Sequence, residues 1–331
     1  MTSRLTRLAL LTAVTLFSSQ SAASPWTLPE GSLSLQVGTD LQYANSEFLI
    51  TGVQQQFPLD GEFYSTSLRG SIRYGISDRL EVGGTLSAGI VTFDADPIYL
   101  GDIFTTEFGD EGSPERFRGN ILSLDQTTAG LGDLRIYLRH RWTDFGPVVV
   151  TGQLALKLPT GYAAPSGTFE DDEFARGVED DVTLGDGQAD IEAMLLLGFV
   201  PAPDWFIRLD AGVRLRTFGP GQQVIGDLKV GTRLTQAFLP YAFVSAEHSF
   251  TEGKTIGISQ TTDAPETPAR EFTADLLVAT PIRLDRSRIS PGVGAILQLG
   301  EREVDISYRY TVWGINTARA HGISIATTFL L

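Results

Sequence analysis

The sequence predicts an all-β protein, an up-and-down antiparallel transmembrane β-barrel of about twelve strands. Three observations lead to this fold class: apolar and polar residues alternate in many strand-length segments, short and long connections alternate between these segments, and aromatic residues collect near one end of them. A period of two is typical of strands because successive side chains point to opposite faces of a sheet.

Thirteen segments carry this alternation, and most reach the length of about 9 to 11 residues with which a tilted strand crosses a bilayer. They are residues 32–43, 64–76, 80–93, 128–142, 148–160, 188–199, 205–217, 227–236, 241–250, 271–282, 289–299, 303–313 and 321–331. A bacterial single-chain barrel has an even number of strands. A further crossing at residues 255–259 would give fourteen, whereas losing one segment from 271–299, where Pro281 and Pro291 lack a ladder donor, would give twelve. We predict twelve.

The final segment runs to the last residue of the chain. Its apolar stripe consists of Ile323, Ile325, Thr327, Phe329 and Leu331. In a closed barrel the last strand pairs with the first, which leaves no free sheet edge. We therefore expect the last residues to be paired rather than to form a polar tail.

The connections between segments alternate in length over the first two thirds of the chain. Short ones lie at residues 77–79, 143–147, 200–204 and 238–240, and long ones at 44–62, 94–127 and 161–187. Outer-membrane barrels have short periplasmic turns and long extracellular loops. This order predicts that the chain enters the barrel from the periplasmic side.

Aromatic residues on the apolar faces distinguish a membrane barrel from a soluble two-sheet sandwich, which also has alternating strands. A girdle at the headgroup level is typical of membrane barrels. The residues predicted to form it on the periplasmic side are Tyr74, Trp142, Phe199, Trp205, Tyr241 and Phe329.

The first residues have the character of a secretory signal peptide. Arg4 and Arg7 precede an apolar run over residues 8–17, and small residues at 21–23 resemble a cleavage site. We expect residues 1–23 to be removed and residues 24–331 to form a single barrel domain. The run is shorter than the roughly 20 apolar residues of a transmembrane helix.

Composition excludes several classes of partner. Removal of residues 1–23 lowers Lys and Arg from 25 to 23 against 40 Asp and Glu, which gives a net charge of −17. Such a surface repels phosphate, so no nucleic acid partner is expected. The chain has no cysteine and hence neither disulfides nor a thiolate metal site. We expect no cofactor.

The faces opposite the apolar stripes carry interleaved charges of both signs. Lipid-facing Arg or Lys costs about 2–4 kcal/mol at mid-bilayer, so these faces are predicted to line the lumen. The candidate lumen residues are Arg69, Arg73, Glu81, Asp133, Arg135, Arg139, Lys157, Asp190, Glu192, Arg208, Asp210, Arg214, Lys229, Arg233 and Arg309. They could sort solutes by charge, as charged rings do in pores, or pair across a narrow interior and fill it.

Catalysis and metal binding find little support in the sequence. Its three histidines, His140, His248 and His321, suggest no serine triad, so no catalytic residue is predicted and a lipid-modifying enzyme is the weakest alternative. The acidic residues within 170–187 do not have the spacing of a calcium loop. We interpret them as a hydrated loop and assign no metal.

Four stretches resemble a known family. They are Tyr74–Val82 (YGISDRLEV), Gly130–Leu134 (GLGDL), Leu156–Gly161 (LKLPTG) and Trp313–Thr317 (WGINT). In order and spacing they are similar to the outer-membrane barrel family named for the MetA pathway of phenol degradation, over most of the chain after residue 23. The resemblance implies location in the outer membrane, insertion by the barrel assembly machinery, contact with outer-membrane lipid and passage of small organic, including aromatic, solutes.

The sequence thus predicts a passive channel for small molecules in the outer membrane. The alternative is a plugged barrel with a structural or surface-interaction role.

Overall fold

The computed structural model describes residues 25–331 except 58, 100–116, 119–120, 123–124, 161, 163–183, 186, 218, 263–276 and 301. Twelve long strands form one closed antiparallel ring in which each strand pairs with its neighbours along the chain. The ring consists of β1 (Leu33–Ala44), β2 (Glu62–Ser77), β3 (Leu80–Asp94), β4 (Gln126–Phe145), β5 (Val148–Pro159), β6 (Asp190–Ala202), β7 (Trp205–Arg216), β8 (Gln223–Thr232), β9 (Phe238–Ser249), β10 (Ser287–Leu299), β11 (Arg302–Tyr310) and β12 (His321–Leu330).

Pairing of the first and last strands closes the ring. Leu35 faces Phe329 and Val37 faces Thr327 across the β1–β12 ladder. Leu33 and Leu331 exchange both backbone hydrogen bonds, at 2.8 and 3.1 Å. The expectation that the last residues are paired is confirmed, and the two-sheet sandwich is wrong.

The predicted number of twelve strands is confirmed, and fourteen is wrong. Residues Thr255–Thr262 and Leu277–Arg283 are strands, but they pair only with each other in a ribbon outside the ring. Strand β9 pairs directly with β10 instead. Alternation predicted a barrel strand at 271–282 because a two-stranded ribbon and a barrel strand share the period of two.

Pro291 lies inside a barrel strand, which the sequence made suspect. It faces Val244 on β9, whereas the ladder from β10 to β11 begins only at Gly292. At residues 287–289, β10 pairs with the short strand Trp313–Ile315 instead of with β11. Proline lacks a donor, so it is tolerated where one ladder has ended and the next has not begun.

Short strands decorate the long connections. Ser46–Phe48, Gln54–Gln56 and Thr317–Ala318 form one small sheet, and Ile98–Tyr99, Phe117–Arg118 and Ile121–Leu122 form another. Residues 78–79, 146–147 and 203–204 make tight turns at the opposite end of the ring. Gly146 has φ +59°, a left-handed conformation that glycine adopts without strain. We call the end with these turns the turn end and the other the loop end.

Glycine also marks an irregularity in β4. The register between β3 and β4 shifts between Leu86 and Ala88, which face Leu134 and Leu131. Two residues, Gly132 and Asp133, therefore oppose one on β3. Glycine at position 132 suits this β-bulge, since bulges often place a glycine where the ladder is locally interrupted.

Exposure alternates along the strands as the sequence predicted. In β2, Leu68 is 55% exposed and Ile72 49%, whereas Arg73 is 4% exposed. Because the ring is closed, the exposed apolar parity is the outer surface and the buried polar parity is the interior. Among the described residues no helix has the length and apolar character needed to cross a membrane.

Aromatic residues ring the outer surface at both ends. Tyr74, Trp142, Phe199 and Trp205 are exposed near the turn end, as predicted. Tyr64 and Tyr308 are exposed near the loop end, where Tyr308 bonds His321 Nδ1 at 2.7 Å. The sequence prediction included only the first of these two girdles.

The depth of a lipid-facing position sets the effect of a charge there. Leu68 lies midway between the two tyrosines of β2, Tyr64 and Tyr74, whereas Ile76 lies beyond Tyr74 at the turn end. We expect Leu68→Arg to lower the free energy of unfolding by about 2–4 kcal/mol and Ile76→Arg by about 0–1 kcal/mol. Urea titration of the protein refolded into lipid vesicles measures both. Equal losses would contradict the assignment of this face to lipid.

Candidate functional site

Residues 25–32, which precede β1, turn back into the barrel at the turn end. Trp26 is 1% exposed and Leu28 0%, although neither lies in a strand. We call residues 25–32 the N-terminal segment. The indole of Trp26 packs in an apolar cluster with five inward side chains of four strands, Val149, Phe206, Leu239, Tyr241 and Ile296. The segment therefore fills the turn end of the lumen with apolar volume.

Polar groups of the wall hold the backbone of this segment. Three of these bonds come from the strands: Leu28 N–H donates to Glu81 Oε2 at 3.0 Å, Arg73 Nη2 donates to the Trp26 carbonyl at 3.4 Å, and Thr151 Oγ1 donates to the Pro25 carbonyl. Two more involve Asp78 in the first tight turn. Its carbonyl accepts from Thr27 Oγ1 at 2.8 Å, and its Oδ1 accepts from the Glu30 N–H at 3.1 Å. These contacts satisfy backbone groups that have no strand partner, as burial requires.

A buried charge cluster lies beside the segment. Glu81, 0% exposed, bonds Arg73 Nη2 at 2.7 Å and Arg139 Nη1 at 3.1 Å. Arg139 Nε also donates to Gln153 Oε1 at 2.6 Å, and its guanidinium lies 4.4 Å from the Tyr137 ring centroid. One carboxylate thus compensates two buried guanidiniums and also binds the N-terminal segment.

A second group of charges lies towards the loop end. Lys157 Nζ is 2.8 Å from Asp190 and 3.3 Å from Asp133. Glu192 accepts from Arg214 Nε at 2.8 Å and also pairs with Arg135. These six residues come from β4, β5, β6 and β7, so they cover one continuous part of the inner wall.

Asp133 also joins a loop residue to this wall. The Tyr162 hydroxyl donates to Asp133 Oδ1 and accepts from the Gly187 N–H at 3.2 Å. Tyr162 lies past the end of β5. Desolvation, followed by the hydrogen bond to Asp133, raises the pKa of its phenol above the ordinary value. The phenol therefore stays protonated and remains a donor to Asp133 at neutral pH.

Tyr241 faces the lumen, so its assignment to the outer girdle is wrong. It is 6% exposed, its hydroxyl donates to Asp305, and Lys229 Nζ lies 4.0 Å from its ring centroid. Lys229 Nζ is also 3.9 Å from Asp305 Oδ2. Tyr241 shares its parity on β9 with the buried Glu247, which fixes the inward direction.

The remaining candidate residues occupy different places. Arg208 pairs with Asp210 at 2.8 Å and both are buried, whereas Arg69 pairs with Asp40 at 3.1 Å and is 38% exposed. Arg309 on β11 is half-buried, and its side chain lies against Gly322, its register partner on β12.

Arg233 lies one residue past the end of β8, where its N–H donates to the Asp204 carbonyl at 2.6 Å. Strand alternation does not fix side-chain direction beyond the strand. The structure therefore gives no strand basis for placing Arg233 in the lumen.

Sequence reasoning did not identify two arginines of the interior, Arg286 and Arg288, or the N-terminal segment. Arg286 precedes β10 and Arg288 is its second residue. The predicted segment began at 289, so both arginines were assigned to a loop. Residues 25–32 are too short to show a strand period, and no sequence signal placed them inside the barrel.

Two histidines bond hydroxyl groups, which raises the question of hydrolysis. His248 Nδ1 lies 3.0 Å from Ser287 Oγ. Ser287 is 2% exposed, and its Oγ also accepts from the Ser249 N–H at 3.1 Å. Within the described residues no third group orients the His248 ring, as a catalytic triad requires. The pair is therefore interpreted as structural.

The acidic loop predicted to be hydrated lies mostly outside the described residues, which omit 163–183 and 186. In the part of the chain that is described, no group of three His, Asp or Glu residues could hold a metal ion.

Comparison with known proteins places the fold among outer-membrane barrels. An outer-membrane channel of Pseudomonas putida F1 is similar with a TM-score of 0.62 and 11% identity, over 94% of this chain and 100% of that chain. The translocator domain of the autotransporter NalP from Neisseria meningitidis has a TM-score of 0.44 and 13% identity, over 91% and 89%. The KdgM porin has a TM-score of 0.42 and 6% identity, over 89% and 98%. No family model and no curated protein matches the chain. The chain has the outer-membrane β-barrel fold.

Glu81 should be far more important for stability than Asp40, an acid of the same interior whose arginine partner is partly exposed. We expect Glu81→Gln to lower the free energy of unfolding by about 3–5 kcal/mol, because it removes the carboxylate with which two buried guanidiniums pair. Asp40→Asn, whose partner Arg69 is 38% exposed, should lower it by about 0–1 kcal/mol. Urea titration in detergent micelles compares the two. A loss at Glu81 no larger than at Asp40 would refute the role of the buried cluster.

Proposed function

We propose that the protein is an outer-membrane channel through which small organic solutes, aromatic compounds among them, pass passively. The observation that carries this proposal is a closed barrel whose charged interior keeps partly exposed arginines and whose turn end is occupied by the chain's own N-terminal segment.

The inward charges differ in exposure. Arg69 near the middle of β2 is 38% exposed and Arg135 28%, whereas Glu81 and Arg139 at the turn end and Asp190 towards the loop end are 0% exposed. The two partly exposed arginines are available to act on a solute. They support an interior that is not filled along its whole length.

The N-terminal segment that closes the turn end is attached differently from the strands of the barrel wall. The hydrogen bonds of residues 25–30 go mainly to side chains and a turn carbonyl. Gly31 and Ser32 instead bond the backbone of Gly75 on β2, next to the β1–β2 ladder. Displacement of residues 25–30 would break their bonds and the Trp26 contacts while the twelve-strand ring stays closed. The closure can therefore open without unfolding the barrel.

Export fits the position of this segment. Cleavage near Ala23, as the signal peptide predicts, would leave Pro25 close to a new N-terminus. The turn end would then face the periplasm, with the loop end outside the cell. We further propose outer-membrane lipid and the barrel assembly machinery as partners, in line with the family resemblance of the four sequence stretches.

A plugged barrel without conductance is the second candidate. The Trp26 cluster and the buried Glu81 cluster favour it, because together they occupy the turn end from opposite sides. The two functions make opposite predictions for current across a bilayer.

Removing the closure should increase conductance. In planar bilayers we expect discrete current steps from the chain beginning at residue 24, and larger, longer-lived steps when residues 25–31 are deleted. Glu30→Gln, at an exposed position of the same segment, serves as the control and should match the unaltered chain. If both the unaltered and the deleted forms are folded but silent, the channel is excluded and the plugged barrel is supported.

A further inference from the structure

Three arginines surround a single carboxylate near the loop end of the lumen. Glu247 on β9 is 7% exposed. Arg286 Nε lies 2.6 Å and Arg288 Nε 3.2 Å from its Oε1, and Arg214 Nη1 lies 3.8 Å from its Oε2. Glu247 therefore gathers guanidiniums from β7, from β10 and from the residue before β10.

The charge at this place is positive in excess. Arg214 is shared with Glu192 and Asp190, and Asp190 also pairs with Lys157 and Arg216. Arg286 and Arg288 have Glu247 as their only acidic partner among the described residues. The formal net charge of the whole chain is −15, so this cluster is a local reversal of sign.

The guanidiniums of Arg286 and Arg288 have N–H donors that Glu247 does not engage. Glu247 Oε1 lies within ion-pair distance of the Nε atom of each arginine, so it engages one of the five donors of each guanidinium. The side chains of Arg286 and Arg288 are 44% and 33% exposed. A guanidinium presents five N–H donors in a planar fork. The exposed donors of both side chains are accessible from solvent, so a solute anion can bind them.

A planar fork with free donors suits a carboxylate. Arg–carboxylate pairs are frequently bidentate, and hydrogen bonds between two charged groups are stronger than neutral ones. Two acidic residues, Asp227 and Asp305, lie deeper in the lumen. Asp305 Oδ2 is 3.9 Å from Lys229 Nζ. A singly charged ligand meets less repulsion from these acids than a dianionic phosphate, so the chemistry favours a monocarboxylate.

We propose that Arg286 and Arg288 form a recognition site for the carboxylate of small organic anions at the mouth of the lumen, with Glu247 as the residue that positions them. This site rests on the proposed channel function and names the solute class that the channel favours. The cluster also raises the local concentration of anions that the acidic surface as a whole repels.

Flux of a matched pair of solutes tests the site. Liposomes with the full chain after residue 23 are diluted into isotonic gluconate or sorbitol, which have similar size but differ in the carboxylate. We expect the double variant Arg286→Gln with Arg288→Gln to reduce gluconate entry severalfold and leave sorbitol entry unchanged. The double variant Arg286→Lys with Arg288→Lys keeps the positive charges but loses the planar guanidinium groups. It should reduce gluconate entry less than the glutamine variant does.

A control variant removes the same number of charges elsewhere. Arg302→Gln with Arg319→Gln changes arginines that lie over the Phe329 and Tyr310 rings, away from Glu247, and should leave the gluconate to sorbitol ratio unchanged. Heat-modifiable gel mobility verifies that each variant is folded, and the single variant Arg286→Gln, at the more exposed arginine, should give an intermediate reduction.

The outcomes separate this site from the channel itself. If sorbitol enters but the ratio is the same in the glutamine variant, the site is overturned and the channel stands. If neither solute enters, even after deletion of residues 25–31, both proposals fail. Acetate should slow gluconate entry at constant ionic strength. Competition by inorganic phosphate and not by acetate would overturn the carboxylate assignment.

Discussion

Closure of the strand ring is the constraint on which the rest of the structure depends. In hydrocarbon every backbone N–H and C=O needs a partner within the protein, so a sheet in a membrane has no free edge. Here the mutual bonds of Leu33 and Leu331 complete the ring. Once the ring is closed, the alternation of each strand separates an apolar outer surface from a charged interior. The burial of Arg73 between the exposed Ile72 and Tyr74 is a direct consequence.

The interior divides into two regions with different physical character. At the turn end, Glu81, Arg139 and the Trp26 cluster exclude water and hold residues 25–32. Beyond this end, Asp190, Glu192 and Glu247 are also buried, but the arginines Arg69, Arg135 and Arg286 keep a substantial part of their surface exposed. Buried ion pairs need complete compensation, whereas partly hydrated ones exchange partners at little cost. The first region therefore favours closure and the second favours contact with solutes.

Most of the fold could be predicted from the sequence because a barrel repeats one local rule on every strand. The paired final strand followed from residues nearby in the chain. The ribbon of Thr255–Thr262 and Leu277–Arg283 could not be distinguished from barrel strands, because pairing partners are a long-range property. Parity identified charged residues of the interior but not their burial: Arg135 and Arg139 looked equivalent, yet one is partly hydrated and the other is fully buried. Tyr241 was misassigned because its aromatic character outweighed the parity that it shares with Glu247. The insertion of Trp26 depends on a cavity that exists only after closure.

The inside-out polarity of the barrel is tested most directly by single cysteines in β12, since the chain has none of its own. Ser324→Cys places a thiol on the inner, half-buried parity, and Ile325→Cys places one on the outer face, where the native isoleucine is 46% exposed. In proteoliposomes a membrane-impermeant maleimide should label Cys at 324 and leave Cys at 325 unlabelled. Labelling at 325 with protection at 324 would contradict the account.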